Sequence, residues 1–303
     1  MSVAPEVCAV VVSYNTRDEL LQCLGSLEAP AVPLEVIVVD NASRDGSADA
    51  VAQRFPAATL VRNDDNVGFA RACNEALRLS RAPYVLLLNS DAEVKPGAVA
   101  AMRRLLESRP RVGAVGPRTV APDGAVEVSF GPHLTPLREW RQRRLVRGVR
   151  ARRPEALRRA AALSAAEHEP AWVSGACVLL RRRAIEQVGG FDEGFFLYEE
   201  DVDLCRRLRQ AGWTILFTPA AEVVHHLGRS MEKAPERARL EYHRSHLRYY
   251  RKHNGRAAAA VLRGYLAASG LLGWLRAAVG HGPEAEAARR RQRDLLRLAW
   301  LGR

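Results

Sequence analysis

The chain lacks the glycine-rich loops that mark two large classes of phosphate-binding protein. No G-x-G-x-x-G sequence follows its first apolar segment, and no G-x-x-x-x-G-K-[ST] sequence occurs in its 303 residues. The first loop holds the pyrophosphate of a dinucleotide, and the second holds the phosphates of a nucleoside triphosphate. Their absence argues against a dinucleotide-dependent dehydrogenase and against a P-loop NTPase.

Cysteine is scarce, and so are long apolar runs. The five cysteines show no C-x-x-C spacing, and each lies among apolar residues: Cys8, Cys23, Cys73, Cys177 and Cys205. This favours reduced, buried thiols in a cytosolic protein over a disulfide framework. No signal peptide opens the chain and no run of about 18 apolar residues is free of charge, so we predict no membrane-spanning helix. The nearest candidate, residues 257–279, contains Arg263 and Arg276.

Negative charge is in the minority, since 46 lysines and arginines stand against 34 aspartates and glutamates, a formal net charge of +12. Such an excess favours acidic partners, namely nucleic acid, anionic lipid head groups or phosphorylated substrates. Arginine is concentrated in residues 138–159 and 289–297, with only Trp140 and Trp300 in or near them. Because base stacking needs interleaved aromatic residues, we do not favour nucleic acid as a partner and rank an anionic membrane surface ahead of it.

The chain is rich in short apolar segments that alternate with helical patterns. Five segments read as strands, in residues 7–14, 34–40, 59–62, 84–89 and 112–115. Such alternation is typical of βαβ units, so we predict an α/β fold with a mostly parallel sheet. Right-handed crossovers bring the carboxyl ends of parallel strands to one edge, where ligands bind in such sheets.

Polar residues cluster where these strands end. Asp40 could accept a hydrogen bond from the N3–H of uracil or thymine, and Gly68 would let the backbone approach a ligand closely. Aspartate, asparagine and glycine also dominate ordinary turns, but their repetition after successive strands favours a shared site. The candidate nucleotide-binding residues are Ser13, Tyr14, Asn15, Asp40, Asn41, Asn66, Gly68 and Ser90.

The strand of residues 84–89 is followed at once by Ser90 and Asp91. A carboxylate at a strand end can hold a hard divalent cation that bridges to phosphate oxygens. The alternative is an ordinary helix N-cap. His225 also ends a predicted strand, and its imidazole could complete a metal site. The histidines His243, His246 and His253 lie among arginines on a predicted helix, and we expect them to be solvated.

Three carboxylates, Glu199, Glu200 and Asp201, lie where an aromatic segment meets the start of a predicted helix. Acidic residues in a first helical turn complement the helix dipole, which is the structural interpretation. The neighbouring aromatic side chains would raise the proton affinity of one carboxylate. A carboxylate of that kind suits a general base that removes a proton from an alcohol.

Other segments are helical in character. Thr16-Arg-Asp-Glu19 fits a capping box at the start of the first helix. Residues 138–169, rich in arginine and alanine, are expected to form a mobile or helical insertion, and residues 237–303 a basic helical extension. Within that extension, residues 262–275 have the apolar-plus-basic character of an interfacial helix, although an ordinary helix packed on the domain fits them equally well.

Seven motifs occur in a characteristic order within residues 7–230. They are Val12-Ser-Tyr-Asn15, Val39-Asp-Asn-Ala-Ser-Arg-Asp-Gly46, Asn66-Val-Gly-Phe69 with Asn74, Leu88-Asn-Ser-Asp91, Gly189-Gly-Phe-Asp192, Phe196-Leu-Tyr-Glu-Glu-Asp-Val-Asp-Leu204 and His225. Together they resemble the family 2 glycosyltransferases, and most of all their rhamnosyltransferase-like branch. The resemblance implies a GT-A fold in residues 1–236, a nucleotide-diphosphate sugar donor (a UDP- or dTDP-sugar), Mg²⁺ or Mn²⁺ as cofactor, and inversion at the anomeric carbon.

The resemblance also implies roles for single residues. Asn89 stands where the strict DXD motif of the family has an aspartate, so one carboxylate fewer would hold the metal. By motif, the metal ligands are Asp91 and His225, the general base is Asp201 with Glu200 beside it, and the nucleotide contacts are Asp40, Ser13 and Asn15.

We therefore predict an inverting glycosyltransferase that moves a sugar, with rhamnose as first candidate, to a hydroxyl of a glycan or lipid-linked acceptor in cell-envelope polysaccharide synthesis. We expect it in the cytoplasm, with the inner face of the cell membrane as a candidate peripheral docking surface. One alternative is a sugar-phosphate nucleotidylyltransferase, which would need a glycine-rich basic loop where Ser13-Tyr-Asn-Thr16 stands. The other is a nucleic-acid-binding protein, which the charge alone suggests.

Overall fold

The computed structural model describes residues 4–28, 31–226 and 235–301. Residues 227–230, which end the stretch that carries the family resemblance, lie outside the described residues. By its internal contacts the chain divides into two units. The first comprises Met1–Gly194 and Asp201–Ser230, and the second comprises Phe195–Glu200 and Met231–Arg303. The domain boundary that the sequence suggests after residue 236 stays a proposal.

The first unit is built on a large mixed sheet. Within the described residues, nine strands form this sheet, and two more, β8 and β9, form a small antiparallel one. The strands are β1 (Val7–Ser13), β2 (Leu34–Asp40), β3 (Thr59–Arg62), β4 (Tyr84–Asn89), β5 (Ala92–Val94), β6 (Val112–Val120), β7 (Val126–Glu127), β8 (Phe130–Gly131), β9 (Trp172–Val173), β10 (Cys177–Arg181) and β11 (Thr214–His225).

Helices flank this sheet and make up most of the second unit. The helices are α1 (Arg17–Gly25), α2 (Ser47–Arg54), α3 (Phe69–Leu79), α4 (Ala98–Ser108), α5 (Pro136–Arg150), α6 (Pro154–Leu163), α7 (Arg182–Gln187), α8 (Glu200–Gln210), α9 (Pro235–His253), α10 (Gly255–Ala278) and α11 (Pro283–Leu301). The arginine-rich segment that was expected to be mobile or helical contains α5 and α6, so the helical alternative is confirmed.

The large sheet has the order β3-β2-β1-β4-β10-β6-β11-β5, with β7 beside the end of β6. β1 pairs in parallel with both β2 and β4, and β2 pairs in parallel with β3. The predicted α/β fold is confirmed, and the carboxyl ends of β1, β2 and β4 meet at one edge. The sequence did not indicate that β10 runs antiparallel between β4 and β6.

The strand β1 illustrates how the sheet is buried on both faces. Val7, Ala9 and Val11 pack into one hydrophobic cluster, which includes side chains of α1 and α4. Cys8 and Val10 pack into a second cluster with side chains of α3. Burial on both faces explains why the strand reads as a continuous apolar run. Polar side chains are therefore confined to the strand end, where the candidate site lies.

The second unit has a small core and an exposed apolar surface. Leu247, Leu266 and Leu298 are buried where α9, α10 and α11 pack together. By length and composition alone α10 is a candidate for crossing a membrane, so the expectation that no helix spans one stays a prediction. Only 17% of its most apolar stretch is buried. Its exposed large apolar residues are Val261, Tyr265, Leu271, Leu272 and Leu275.

The segment before the acid cluster also belongs to the second unit. Ser245 Oγ donates a hydrogen bond to Leu197 O over 2.8 Å, and His246 Nδ1 lies 2.9 Å from Glu199 Oε1. His246 is only 1% exposed, so the expectation that it is solvated is wrong. Tyr198 and Glu199 have φ of 70° and 65°. Non-glycine residues rarely adopt this conformation, so contacts with α9 hold a strained turn.

Candidate active site

Asp40 ends β2 at the edge where β1 also ends. Its Oδ2 accepts a hydrogen bond from Ser43 N over 3.0 Å. Its Oδ1 is buried and has no hydrogen-bond partner within the described residues. A buried acceptor without a donor costs roughly 1–3 kcal/mol. The position is therefore suited to a ligand that brings an N–H group.

Three buried hydroxyl groups connect the ends of β1 and β4. Ser13 Oγ lies 3.1 Å from Thr16 Oγ1, and Thr16 Oγ1 donates to Ser90 Oγ over 2.9 Å. The predicted capping box is wrong, because the side chain of Thr16 makes no cap hydrogen bond to α1. Its fully buried hydroxyl instead joins two predicted nucleotide-site residues.

Asn15 and Tyr14 form the turn that follows β1. Asn15 has a φ of 55°, which asparagine tolerates better than most residues. Its N–H donates to Ser43 Oγ over 2.9 Å, and its Oδ1 accepts from Arg44 N over 2.7 Å. These bonds tie the turn to the loop that follows Asp40. Tyr14 is 38% exposed at this edge.

Asn41 and Gly68 join the next two loops. Asn41 N donates to Ser13 O over 2.9 Å, and Asn41 Nδ2 donates to Gly68 O over 3.3 Å. Gly68 N donates in turn to Asn66 Oδ1 over 3.0 Å. Gly68 has a φ of 87°, a conformation that favours glycine. Four predicted nucleotide-site residues are thus connected directly by hydrogen bonds.

Asp91 and His225, 134 positions apart in the chain, are brought together by strand pairing. β11 runs antiparallel to β5, and the register sets His225 opposite Ala92. Asp91 Oδ1 then lies 3.3 Å from His225 Nε2. The other ring nitrogen, Nδ1, lies 3.5 Å from Oε2 of Glu127, which the sequence analysis did not single out. The ring of His225 is therefore held between two carboxylates.

These carboxylates set the protonation of His225. Burial alone would lower the pKa of His225, but hydrogen bonds to Asp91 and Glu127 and the charges of both raise it to about 9. Burial would raise the pKa of Asp91, but the hydrogen bond and charge of His225 hold it below its ordinary value. A cation that binds to Nε2 must displace a proton, because the metal ligand is the neutral imidazole.

The pair has the donor set of a divalent cation site. An oxygen and a nitrogen 3.3 Å apart resemble adjacent ligands of an octahedral ion, which are roughly 3 Å apart for bonds of about 2.1 Å. Among the residues that the structure describes, no cluster of three or more His, Cys, Asp or Glu side chains is arranged to hold a metal. A cation held by two side chains keeps open positions for phosphate oxygens.

Asp201 is fixed by the segment 174–176, which also contacts the end of β4. Gly175 N donates to Asp201 Oδ2 over 2.7 Å, and Ala176 O accepts from Asn89 N over 2.9 Å. A Cβ on Gly175 would lie 3.3 Å from the Cβ of Asp201, so this close approach favours glycine. The structure thus links Asp201 to the end of β4, two residues before Asp91. Gly175 could not be predicted as a site residue, because no glycine motif surrounds it in the sequence.

Other motif residues have different surroundings. Glu200 is buried at the start of α8 and belongs by its contacts to the second unit. Asp203 is fully buried and accepts a hydrogen bond from Arg207 Nε over 2.7 Å. Asn74 forms two hydrogen bonds of 2.9 Å with the backbone of Phe191. Asp203 and Asn74 thus serve the structure around the site.

Comparison with known proteins agrees with these motifs. The family model described as "Glycosyl transferase family 2" matches residues 8–189. The chain is 34% identical over 257 residues to the N-acetylglucosaminyl-diphospho-decaprenol L-rhamnosyltransferase of Mycobacterium tuberculosis (strain ATCC 25618 / H37Rv), covering 78% of this chain and 81% of that protein. It is 42% identical over 55 residues to the rhamnosyltransferase WbbL of Escherichia coli (strain K12), covering 18% of this chain and 21% of that protein.

Solved structures agree on the fold. The mannosyltransferase PcManGT from Pyrobaculum calidifontis, in complex with GDP-Man and Mn²⁺, superposes with a TM-score of 0.60 at 21% identity, covering 100% of this chain and 89% of that one. GalNAc-T7 with UDP, GalNAc and Mn²⁺ superposes with a TM-score of 0.54 at 15% identity, covering 72% and 42%. These likenesses confirm the predicted GT-A fold.

Proposed function

The chain belongs to glycosyltransferase family 2, and we propose that it transfers L-rhamnose from a nucleotide-diphosphate donor to a hydroxyl of a lipid-linked N-acetylglucosamine acceptor in cell-envelope synthesis. The name of the Mycobacterium tuberculosis relative describes such a transfer, and the alignment covers most of both chains. The structural observation that supports the proposal best is one sheet edge that combines Asp40, the Asp91–His225 pair and the anchored Asp201.

Asp40 accounts for recognition of the donor's base. Its buried Oδ1 has no donor within the described residues, and the N3–H of uracil or thymine would supply one. Ser13, Asn15 and Asn41 surround the same strand ends and would bind the nucleoside through hydroxyl and amide groups. A UDP- or dTDP-sugar fits this site, and a rhamnosyl donor favours dTDP.

Asp91 and His225 account for the diphosphate. They would hold Mg²⁺ or Mn²⁺, which, when bound, supplies Lewis-acid stabilisation of the negative charge on the leaving nucleoside diphosphate. Asn89 contributes an amide where the DXD motif has a second carboxylate. The side chains of Asp91 and His225 therefore provide the protein's share of cation binding in this proposal.

Asp201 accounts for activation of the acceptor. The backbone N–H of Gly175 holds its Oδ2 at 2.7 Å, so the carboxylate has a fixed orientation. Asp201 takes the proton of the acceptor hydroxyl while that oxygen attacks the anomeric carbon. The attack comes from the face opposite to the leaving diphosphate, so one displacement gives inversion.

The nucleotidylyltransferase alternative is not favoured. Such an enzyme would hold a triphosphate in a glycine-rich basic loop after β1. That place is occupied by Ser13-Tyr-Asn-Thr16, whose Ser13 and Thr16 hydroxyls are buried against Ser90. The segment of residues 13–16 contains neither a glycine nor a cationic side chain.

The second unit accounts for access to a lipid-linked acceptor. Tyr265 and Leu272, on α10, are 62% and 56% exposed. Exposed arginines, Arg256 and Arg276, lie near the two ends of the same helix. Apolar side chains with flanking cations are typical of a helix that lies in the interface of an anionic membrane. We therefore assign the protein to peripheral association with the cytoplasmic membrane surface.

A donor-binding screen tests the proposal. Thermal unfolding of the full chain is followed with UDP- and dTDP-sugars and with nucleoside triphosphates, each with Mg²⁺ or Mn²⁺. We expect stabilisation by a nucleotide sugar that depends on the cation. Stabilisation by a nucleoside triphosphate and sugar phosphate alone would support the nucleotidylyltransferase instead.

A further inference from the structure

The ring of His225 has a carboxylate at each nitrogen. Nε2 faces Asp91 Oδ1 at 3.3 Å, and Nδ1 faces Glu127 Oε2 at 3.5 Å. The two ring nitrogens point in different directions, so a cation bound by Nε2 beside Asp91 lies away from Glu127. Glu127 therefore requires a role other than direct ligation.

The sheet brings Glu127 to this position. Glu127 is opposite Thr119 on one side of β6, and Val223 is opposite Thr119 on the other side. Side chains two residues apart in a strand lie on the same face, so His225 shares a face with Val223. The short strand β7 thus places the carboxylate of Glu127 beside the ring of His225, across the end of β6.

The surroundings of Glu127 indicate that its carboxylate interacts specifically with His225. Its side chain is 12% exposed, and its Oε1 is buried without a hydrogen-bond partner within the described residues. Among the residues that the structure describes, its ion-pair partner is His225. By contrast, Glu222 is 35% exposed and pairs with Arg118 over 3.2 Å. Burial of a carboxylate carries a desolvation penalty, which is offset when the carboxylate is paired with a hydrogen-bonding or charged partner.

We propose that Glu127 is the positioning residue of the metal site, and that it accepts the Nδ1–H of His225 so that the Nε2 lone pair is directed to the position beside Asp91. A neutral imidazole carries one donor and one acceptor nitrogen, and the acceptor at one nitrogen fixes the other. Carboxylates in this position typically strengthen metal binding 10–100-fold. This inference rests on the proposed metal site of Asp91 and His225.

Three variants of the full chain distinguish a positioning role of Glu127 from an effect of its negative charge alone and from a general loss of folding. Glu127→Ala removes the acceptor, and Glu127→Gln keeps a carbonyl acceptor at nearly the same place without the charge. Glu222→Gln is the matched control, because it removes a carboxylate from β11 without touching His225. Binding of Mn²⁺ alone is measured by electron paramagnetic resonance, and the modulation of the spin echo reports a directly bound imidazole nitrogen.

We expect Glu127→Ala to weaken Mn²⁺ binding 10–100-fold and to reduce the nitrogen modulation. Glu127→Gln should recover part of the affinity, and Glu222→Gln should bind as the wild type does. Wild-type affinity and modulation in both Glu127 variants would overturn the inference while leaving the metal site intact. Should Glu127→Ala not fold, Glu127→Met takes its place, because it fills a similar volume without an acceptor for Nδ1–H, and unchanged Mn²⁺ affinity and modulation there overturn the inference. A wild-type chain that binds no Mn²⁺ would overturn the proposed metal site, and this inference with it.

Discussion

His225 Nε2 lies 3.3 Å from Asp91 Oδ1 because β11 pairs antiparallel with β5 and sets His225 opposite Ala92. Asp91 lies in the turn between β4 and β5, His225 ends β11, and the pairing of β5 with β11 makes them neighbours. The distance between the two proposed cation ligands is therefore set by the pairing of β5 with β11.

Replacement of Asp201 by asparagine should abolish transfer and spare binding. The amide side chain would keep an acceptor for Gly175 N but cannot take a proton from the acceptor hydroxyl. Loss of a general base typically costs 10²–10⁴-fold in rate. We therefore expect Asp201→Asn to lower kcat by that factor with unchanged donor affinity.

Steady-state kinetics of the purified Asp201→Asn variant measure kcat, and calorimetry measures its affinity for the donor. Glu186→Gln serves as a control, because it removes a carboxylate that is 60% exposed on α7. Full activity of Asp201→Asn in a folded protein would show that another group is the base. Glu200, buried beside it, would then be the next residue to replace.

Replacement of Asp40 by asparagine should weaken nucleotide binding. A hydrogen bond to a charged group contributes roughly 1.5–3 kcal/mol, so we expect a roughly 10–150-fold loss in affinity for UDP or dTDP. An N3-methyl nucleotide should lose a similar factor with the wild-type protein. The side chain introduced by Asp40→Asn has a single acceptor oxygen, which the Ser43 N–H already requires, so its NH₂ group would face N3. With Asp40→Asn, the methyl group should therefore cause little further loss. Additive losses in calorimetric titrations would contradict a direct contact between Asp40 and N3–H.

The hydroxyl groups of Ser13, Thr16 and Ser90 are linked by hydrogen bonds, and this arrangement leads to a prediction for Thr16. If Thr16 were an ordinary N-cap, Thr16→Asp would be neutral or stabilising. Because its hydroxyl is buried between two others, we expect Thr16→Asp to destabilise the protein by several kcal/mol through burial of a charge. Thr16→Ser, which keeps the hydroxyl, should cost far less. Urea unfolding of both variants checks this, and equal stability of Thr16→Asp and wild type would restore the capping interpretation.

The same residues show which parts of the site could be predicted from the sequence. Polar residues at the ends of apolar strands were sufficient to predict that Asp40 and Asp91 lie at one edge of the sheet, because parallel strands bring their ends together there. Thr16 was misassigned because a threonine before a helix with a glutamate three residues on satisfies the capping pattern, whatever its hydroxyl contacts in space.

Glu127 and His246 were missed for a different reason. Glu127 lies in a two-residue strand, too short for any periodicity, and its partner is 98 positions away. His246 is surrounded by arginines in the sequence, which suggests a solvated helix face, yet its ring packs against Glu199. The environments of both side chains are set by contacts with segments that are distant in the sequence, and no local sequence pattern indicates such contacts.

Membrane association should depend on the exposed face of α10. Substitution of Tyr265 and Leu272 by aspartate removes two large apolar groups, each worth roughly 1.5–3 kcal/mol when fully buried. We expect the double variant to bind liposomes that contain anionic lipid at least tenfold more weakly. Leu137→Asp on α5 is the matched control, because Leu137 is 59% exposed outside this helix. Equal sedimentation of the double variant and the wild type would contradict the assignment.

The most direct test of the account is the transfer reaction itself. The full chain is incubated with dTDP-L-rhamnose or a UDP-sugar, Mn²⁺ and a polyprenyl-diphospho-N-acetylglucosamine, and the product is analysed by mass spectrometry and NMR. We predict a product one sugar larger, with inverted anomeric configuration, that is lost in Asp91→Asn and in His225→Ala. A product of retained configuration, or undiminished transfer by both variants, would contradict it.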